Sequence, residues 1–132
     1  MREILFRGKR QDNGEWITGD LWHNPYSKKE IAIVSPINNQ GTMGGNNVIP
    51  ETVGQYTGMT DKNGVKIFEG DVVIGRKGYT GNPHYPIKEQ RFAVKYEHEC
   101  YRELCDTDYY EFEVIGNIHD NPDLLEAQHE NT

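Results

Sequence analysis

QYTGMTDKNGVKIFEGDVV, residues 55–73, decides the fold class. Short apolar runs flank Asp61-Lys62-Asn63-Gly64, and a second break follows at Glu69-Gly70-Asp71. Asn-Gly readily takes positive φ, so the first break predicts a tight β-hairpin. Gly70 permits a sharp corner, which a small β-barrel needs between its strands. The strand before the hairpin is expected to end near Thr57, and Val65–Phe68 to pair back across the turn. Asp71-Val72-Val73-Ile74 then starts a further strand.

Working toward the N-terminus, Ile4-Leu5-Phe6-Arg7 and Trp16–Leu21 flank Asp12-Asn13-Gly14, a second hairpin signal. Ile31-Ala32-Ile33-Val34, stopped by Pro36, reads as a buried strand. Asn38–Asn47 reads NNQGTMGGNN, without periodicity, and is expected to be a mobile loop. Toward the C-terminus, Arg76–Lys88 is expected to be a second irregular loop. Gln90, Phe92, Val94 and Tyr96 alternate with polar or small neighbours, as do Tyr110, Phe112 and Val114, so two strands with one wet face each are predicted. Asn121-Pro122-Asp123 carries an N-cap, a first-turn proline and a first-turn acid, the start of a short helix.

The 132 residues suffice for one domain that buries roughly two-thirds of its unfolded surface. No stretch approaches the ~20 apolar residues of a membrane helix. Met1–Arg10 alternates charge with apolar residues, unlike a secretory leader. A cytoplasmic setting, with Cys100 and Cys105 reduced, is the expectation. The formal charge is −7, from 21 acidic and 14 basic residues. Such a chain lacks the field that draws proteins to a phosphate backbone. Its acidity is also too interrupted for a polyanion mimic.

Each cluster with chemical potential has a structural reading beside it. Asp61-Lys62-Asn63-Gly64 superficially matches the start of a calcium loop, but the twelfth position, where a bidentate Glu belongs, is Val72. His98, Cys100, Cys105 and His119 lack the paired spacing of zinc ligands. Ser27 and Ser35 sit in no nucleophile motif, and Gly8 and Gly14 form no phosphate cradle. No catalytic residue, metal or cofactor is therefore expected. The candidate binding loop is Arg76, Lys77, Tyr79, His84, Tyr85 and Lys88, a mixture of stacking and phosphate-binding groups, with Arg7, Lys9 and Arg10 adding local positive charge.

The segment 55–73 also resembles the signature of the YopX family of phage and prophage proteins. Gln-Tyr-Thr-Gly, Asn-Gly and Ile-Phe-Glu-Gly-Asp-Val-Val occur in order. Ile4-Leu5-Phe6-Arg7-Gly8 resembles the family's opening, and Phe92–Glu97 a later strand. Val114-Ile115-Gly116-Asn117-Ile118-His119-Asp120-Asn121-Pro122, with Leu124-Leu125, resembles its closing segment. Pro25–Asn47 and Arg76–Glu89 have no counterpart. The resemblance implies a small, mainly β protein on an SH3-like barrel, and no established reaction. It makes Gln55, Tyr56, Gly58, Asp61, Gly64, Glu69, Gly70, Asp71, Gly116 and Asn117 motif residues whose expected role is structural.

The resulting expectation is one antiparallel β domain over 1–132. A hairpin and loop section spans 1–50, a barrel core with terminal helix 51–127, and a tail 128–132. Core positions are Phe6, Trp16, Ile33, Val53, Ile67, Val72, Phe92, Val94, Phe112, Val114, Ile118 and Leu124. The expected function is non-enzymatic binding of a host or phage protein, with self-association through open strand edges as a corollary. The alternative is a nucleic-acid-binding barrel that uses Arg76–Lys88.

Overall fold

The computed structural model describes residues 4–23, 25–26, 30–36, 43–78, 84, 86–97, 100–106 and 108–125. The architecture is mainly antiparallel β, as expected. The chain divides into two compact units, Met1–Gly58 and Met59–Thr132.

The first unit is a sheet ordered β4-β3-β2-β1-β5, from strands β1 (Phe6–Lys9), β2 (Trp16–His23), β3 (Ile31–Pro36), β4 (Met43–Val48) and β5 (Gly54–Thr60). The predicted first hairpin forms, with Lys9 opposite Trp16 and Gly14 at φ 72°. Directly opposed residues share a face, so Gly8, Ile17, Gly19, Leu21, Ile33 and Val48 fall on one side. Ile33 and Val48 are fully buried there. Gly19 has no room for a side chain, because a Cβ would lie 2.3 Å from the Val34 carbonyl oxygen. The sheet curls until Val48 bridges Arg10 and the Ile49 N–H donates to the Lys9 carbonyl at 2.9 Å.

Two expectations fail in this unit. Residues 43–47 of the expected mobile loop belong to β4, paired with β3 from Ile31↔Val48 to Pro36↔Met43. Backbone ladder bonds along an apolar neighbour outweigh the low strand propensity of Gly and Asn. Residues 38–42 of that loop lie outside those described. Trp16, placed in the core from sequence, instead shares the opposite face with Lys9 and is only half-buried.

The second unit opens with the end of β5 turning through Asp61–Gly64 into β6 (Lys66–Phe68). Strand β5 runs to Thr60 rather than stopping near Thr57. The second sheet, ordered β11-β7-β8, comprises β7 (Asp71–Lys77), β8 (Lys88–Ala93) and β11 (Tyr109–Asn117). A small ribbon joins β9 (Tyr96–Glu97) to β10 (Cys100–Tyr101), followed by a 3-10 turn at Arg102–Cys105. Helix begins at 123–125, where the Leu124 N–H donates to the Asn121 carbonyl at 3.2 Å. The described strands form open sheets and not a closed barrel.

The core of this unit gathers Ile67, Val73, Phe92, Val94, Tyr101, Leu104 and Tyr109, with Phe112 and Val114 against it. Tyr109 occupies the place that simple alternation assigns to Tyr110. Pairing jumps from Tyr109↔Lys77 to Glu111↔Arg76, so a bulge inserts one residue and turns Tyr110 out to solvent. The Tyr109 ring lies above Gly75, where a Cβ would approach it to 2.6 Å. Ile118, expected in the core, is 36% exposed. It follows the last paired residue, Asn117, and enters a turn.

Candidate functional site

The signature hairpin is held by one carboxylate. Asp61 Oδ1 accepts the N–H groups of Asn63 (2.8 Å) and Val65 (2.9 Å), and Gly64 supplies the positive φ of 82°. Its other oxygen, Oδ2, accepts the Val114 N–H at 3.0 Å. Beside it the Lys62 N–H donates to the Phe112 carbonyl at 2.9 Å. The turn thereby satisfies two backbone groups on the open edge of β11, as a neighbouring strand would. Burial works to raise the Asp61 pKa. The bonds from Val114, Val65 and Asn63, with the nearby Lys62 charge, outweigh it and hold the carboxyl below its ordinary value.

The other motif residues also hold backbone. Asp71 is buried and its Oδ2 accepts the buried Phe68 N–H at 2.8 Å. Gly70, at φ 90°, donates to Val94 and accepts from Ile118, tying the corner at both ends. Gln55 lies opposite Phe6, and the N–H of buried Tyr56 donates to Leu5. Gly58 takes φ 88°, and Glu69 is half-buried beside the corner. A Cβ on Gly116 would meet Asn121 Oδ1 at 2.6 Å and Leu124 Cδ1 at 2.7 Å. Asn117 Oδ1 accepts the N–H groups of His119 and Asp120.

The candidate binding loop separates into strand ends and connection. Arg76 and Lys77 close β7, and Lys88 opens β8 directly opposite Lys77. His84 is exposed, while Tyr79 and Tyr85 lie outside the described residues. Arg76 is enclosed by carboxylates: Glu111 at 2.6 Å, Glu113 at 3.0 Å and Glu89 at 3.1 Å. The bonds from Glu113 and Glu89, then Glu111, raise its pKa further above an already high value despite partial burial. Lys62 adds a second cation, 3.7 Å from Glu113 and 3.9 Å from Glu111. Lys77 pairs with Asp106 at 3.1 Å and lies 4.5 Å above the centre of the Tyr109 ring. A phosphate approaching either residue would have to displace a carboxylate that already holds it.

Charge is divided unequally along the chain. Residues 1–58 contain six basic and six acidic side chains, and residues 59–132 eight and fifteen, so the whole excess of −7 lies in the second unit. The neutral first unit displays aromatic surface instead. Trp22 is 45% exposed and Tyr26 95%. Trp22 shares the wet face of β2 with Thr18 and Asp20, a tryptophan at a position where alternation calls for a polar residue. That parity is readable in WITGDLWH. On the same face Arg7 lies 4.8 Å and Lys9 5.7 Å from the Trp16 ring centre.

Of the zinc-like set, His98 lies outside the described residues and His119 is half-buried in the closing turn. Cys100 and Cys105 are free thiols. The influence of Cys105, then burial, pushes the Cys100 thiol up. Among the described residues no three His, Cys, Asp or Glu side chains gather as metal ligands. None of the described helices is long and apolar enough to cross a membrane.

The chain is mainly β, and its signature residues tie turns and corners. The family model described as YopX protein matches residues 5–126, and the chain belongs to the YopX family. Among solved structures it is similar to protein EF1440 from Enterococcus faecalis, at 22% identity and a TM-score of 0.52. The match covers 95% of this chain and 99% of that one, and supports the fold alone. No curated protein matches the chain.

Proposed function

We propose that this YopX-family protein is a non-enzymatic phage or prophage accessory protein that binds a host or phage protein inside the bacterial cell. The observation that carries the reading is that two aromatic residues, Trp22 and Tyr26, are exposed on an electrically neutral unit. Tryptophan and tyrosine are the side chains most enriched where protein partners bury surface, and charge is depleted at the centre of such patches. The alternative, nucleic-acid binding through Arg76–Lys88, draws less support, since Arg76 and Lys77 already hold carboxylates.

The test is affinity capture from prophage-induced bacteria with nuclease present, using the full chain and a Trp22→Ser, Tyr26→Ser double variant. The proposal expects a nuclease-resistant protein partner, captured by the wild type and lost with the variant. Capture that nuclease abolishes, or that the variant retains undiminished, would sink it.

A further inference from the structure

The two edges of the second sheet differ. At β11 the turn Asp61–Gly64 takes up the Val114 N–H and the Phe112 carbonyl. At the other edge the sheet order ends with β8, and no described strand pairs along its outer side. Which main-chain groups β8 turns outward follows from its register. Val94 donates to the Asp71 carbonyl at 2.9 Å and accepts the Gly70 N–H at 3.0 Å. Pairing then runs unbroken from Val72↔Ala93 to Lys77↔Lys88. Bonding direction alternates along an antiparallel strand, so Phe92, Gln90 and Lys88 address β7, while Ala93, Arg91 and Glu89 address the edge. The side chains of Lys88, Glu89 and Gln90 are exposed there.

We propose that β8 pairs antiparallel with β8 of a second copy of this chain, in the register centred on Gln90. Charged edge strands ordinarily resist pairing. In this strand, outward groups must meet outward groups, so the two-fold axis falls on a residue and not between two. An axis at Glu89 opposes Glu89 to itself, and one at Arg91 opposes Arg91 to itself. Of the axes within Lys88–Ala93, that at Gln90 alone sets opposite charges of the strand together: each Glu89 faces the Arg91 of the other copy. It also places Ile87, 40% exposed, opposite Ala93. Glu89 already accepts from Arg76 at 3.1 Å, and Arg91 donates to the Leu124 carbonyl at 3.2 Å. Neither bond saturates its group, since a carboxylate accepts several bonds and a guanidinium donates several. The contact is isologous and joins two three-stranded sheets edge to edge. It uses residues of the second unit, so its failure leaves the reading of Trp22 and Tyr26 standing.

Sedimentation velocity of the full chain over a concentration series should show a monomer–dimer equilibrium that weakens as salt rises. Glu89→Arg sets Arg against Arg across the contact, and Arg91→Glu sets Glu against Glu. Each variant alone should dimerise at least ~10-fold more weakly than the wild type, because cross-strand attraction turns to repulsion. Mixed together, the two regain complementary pairs and should form a heterodimer with near wild-type affinity. Circular dichroism checks that each variant keeps its fold. Where one does not, the wild type still decides. Its amide exchange at Glu89 and Arg91 should slow as concentration rises, with little change at Gln90, whose N–H already addresses β7. The proposal is overturned if the wild type stays monomeric at every concentration, if either folded variant dimerises undiminished, or if their mixture yields no heterodimer. Unchanged exchange at Glu89 and Arg91 in a dimer overturns it equally.

Discussion

Replacing Asp61 with Ala removes one acceptor from three backbone donors, and the three losses are unequal. Asn63 and Val65 lie on an exposed turn, where water can take over as acceptor. Each of those bonds is worth about 0.5–1 kcal/mol. The Val114 N–H is on a half-buried strand that packs on the core, and it loses a charged partner. That loss costs about 1.5–3 kcal/mol, giving a total of roughly 2.5–5 kcal/mol. Asp61→Asn keeps one oxygen for the turn but sets an NH2 group against the Val114 N–H, so it should cost roughly 1.5–3 kcal/mol. The carboxyl is held below its unfolded value, so its contribution is complete above ~pH 4 and disappears as pH falls through the folded value. The wild type should therefore lose stability below ~pH 4 more steeply than Asp61→Ala does. Urea unfolding followed by circular dichroism at pH 7 and pH 3 measures both effects, and amide exchange at Val114 localises them. A loss below about 1 kcal/mol in Asp61→Ala, with Val114 exchange unchanged, would refute the capping of β11 by this turn.

Gly75→Ala should destabilise by roughly 1–3 kcal/mol, because the new methyl enters the space of the Tyr109 ring. Gly64→Ala has open space around it and should lose only about 1–2 kcal/mol, from its positive φ; a Gly75→Ala loss in urea midpoint that is just as large in a Tyr109→Ala background would count against the steric account of Gly75. Gly19→Ala must move the Val34 carbonyl and should disrupt the first unit, which tryptophan fluorescence reports because both tryptophans, Trp16 and Trp22, lie in it. Arg76→Gln should lower the urea midpoint at low salt and do so less at high salt; no salt dependence would mean that the carboxylate cage contributes little. Partner binding through Trp22 and Tyr26 should change less than about 10-fold between 50 and 200 mM salt, whereas contact with a polyanion would fall by ~10³–10⁵.

What could be read from the sequence was local. Asn13-Gly14 and Asn63-Gly64 announce their turns through residues adjacent in the chain, and both hairpins form where expected. The family signature could be read for the same reason, as a contiguous string. What stayed hidden depends on partners far away. Met43–Val48 becomes a strand only because β3 offers it a ladder. Tyr109 replaces Tyr110 in the core because a bulge shifts the register against β7. The second half of Asp61's role lies 53 residues downstream at Val114, and Arg76 takes carboxylates from Glu89, Glu111 and Glu113 on both neighbouring strands. No window of sequence contains those pairs. The loop at 76–88 consequently seemed a reservoir of free cations, when its two best candidates are neutralised by the sheet.

The same separation changes what the net charge means. A value of −7 taken over the whole chain argues against any polyanionic partner, since long-range repulsion acts on the molecule as a unit. At physiological ionic strength, however, that repulsion is screened within about 8 Å, so a contact face experiences mainly its own neighbourhood. The excess acid lies in residues 59–132, where carboxylates enclose Arg76 and pair with Lys62 and Lys77. Residues 1–58 carry no net charge and bear the exposed Trp22 and Tyr26. The binding proposed through Trp22 and Tyr26 accordingly rests on apolar aromatic area at the first unit. The turn at Asp61–Gly64 occupies the edge of β11 in the second unit.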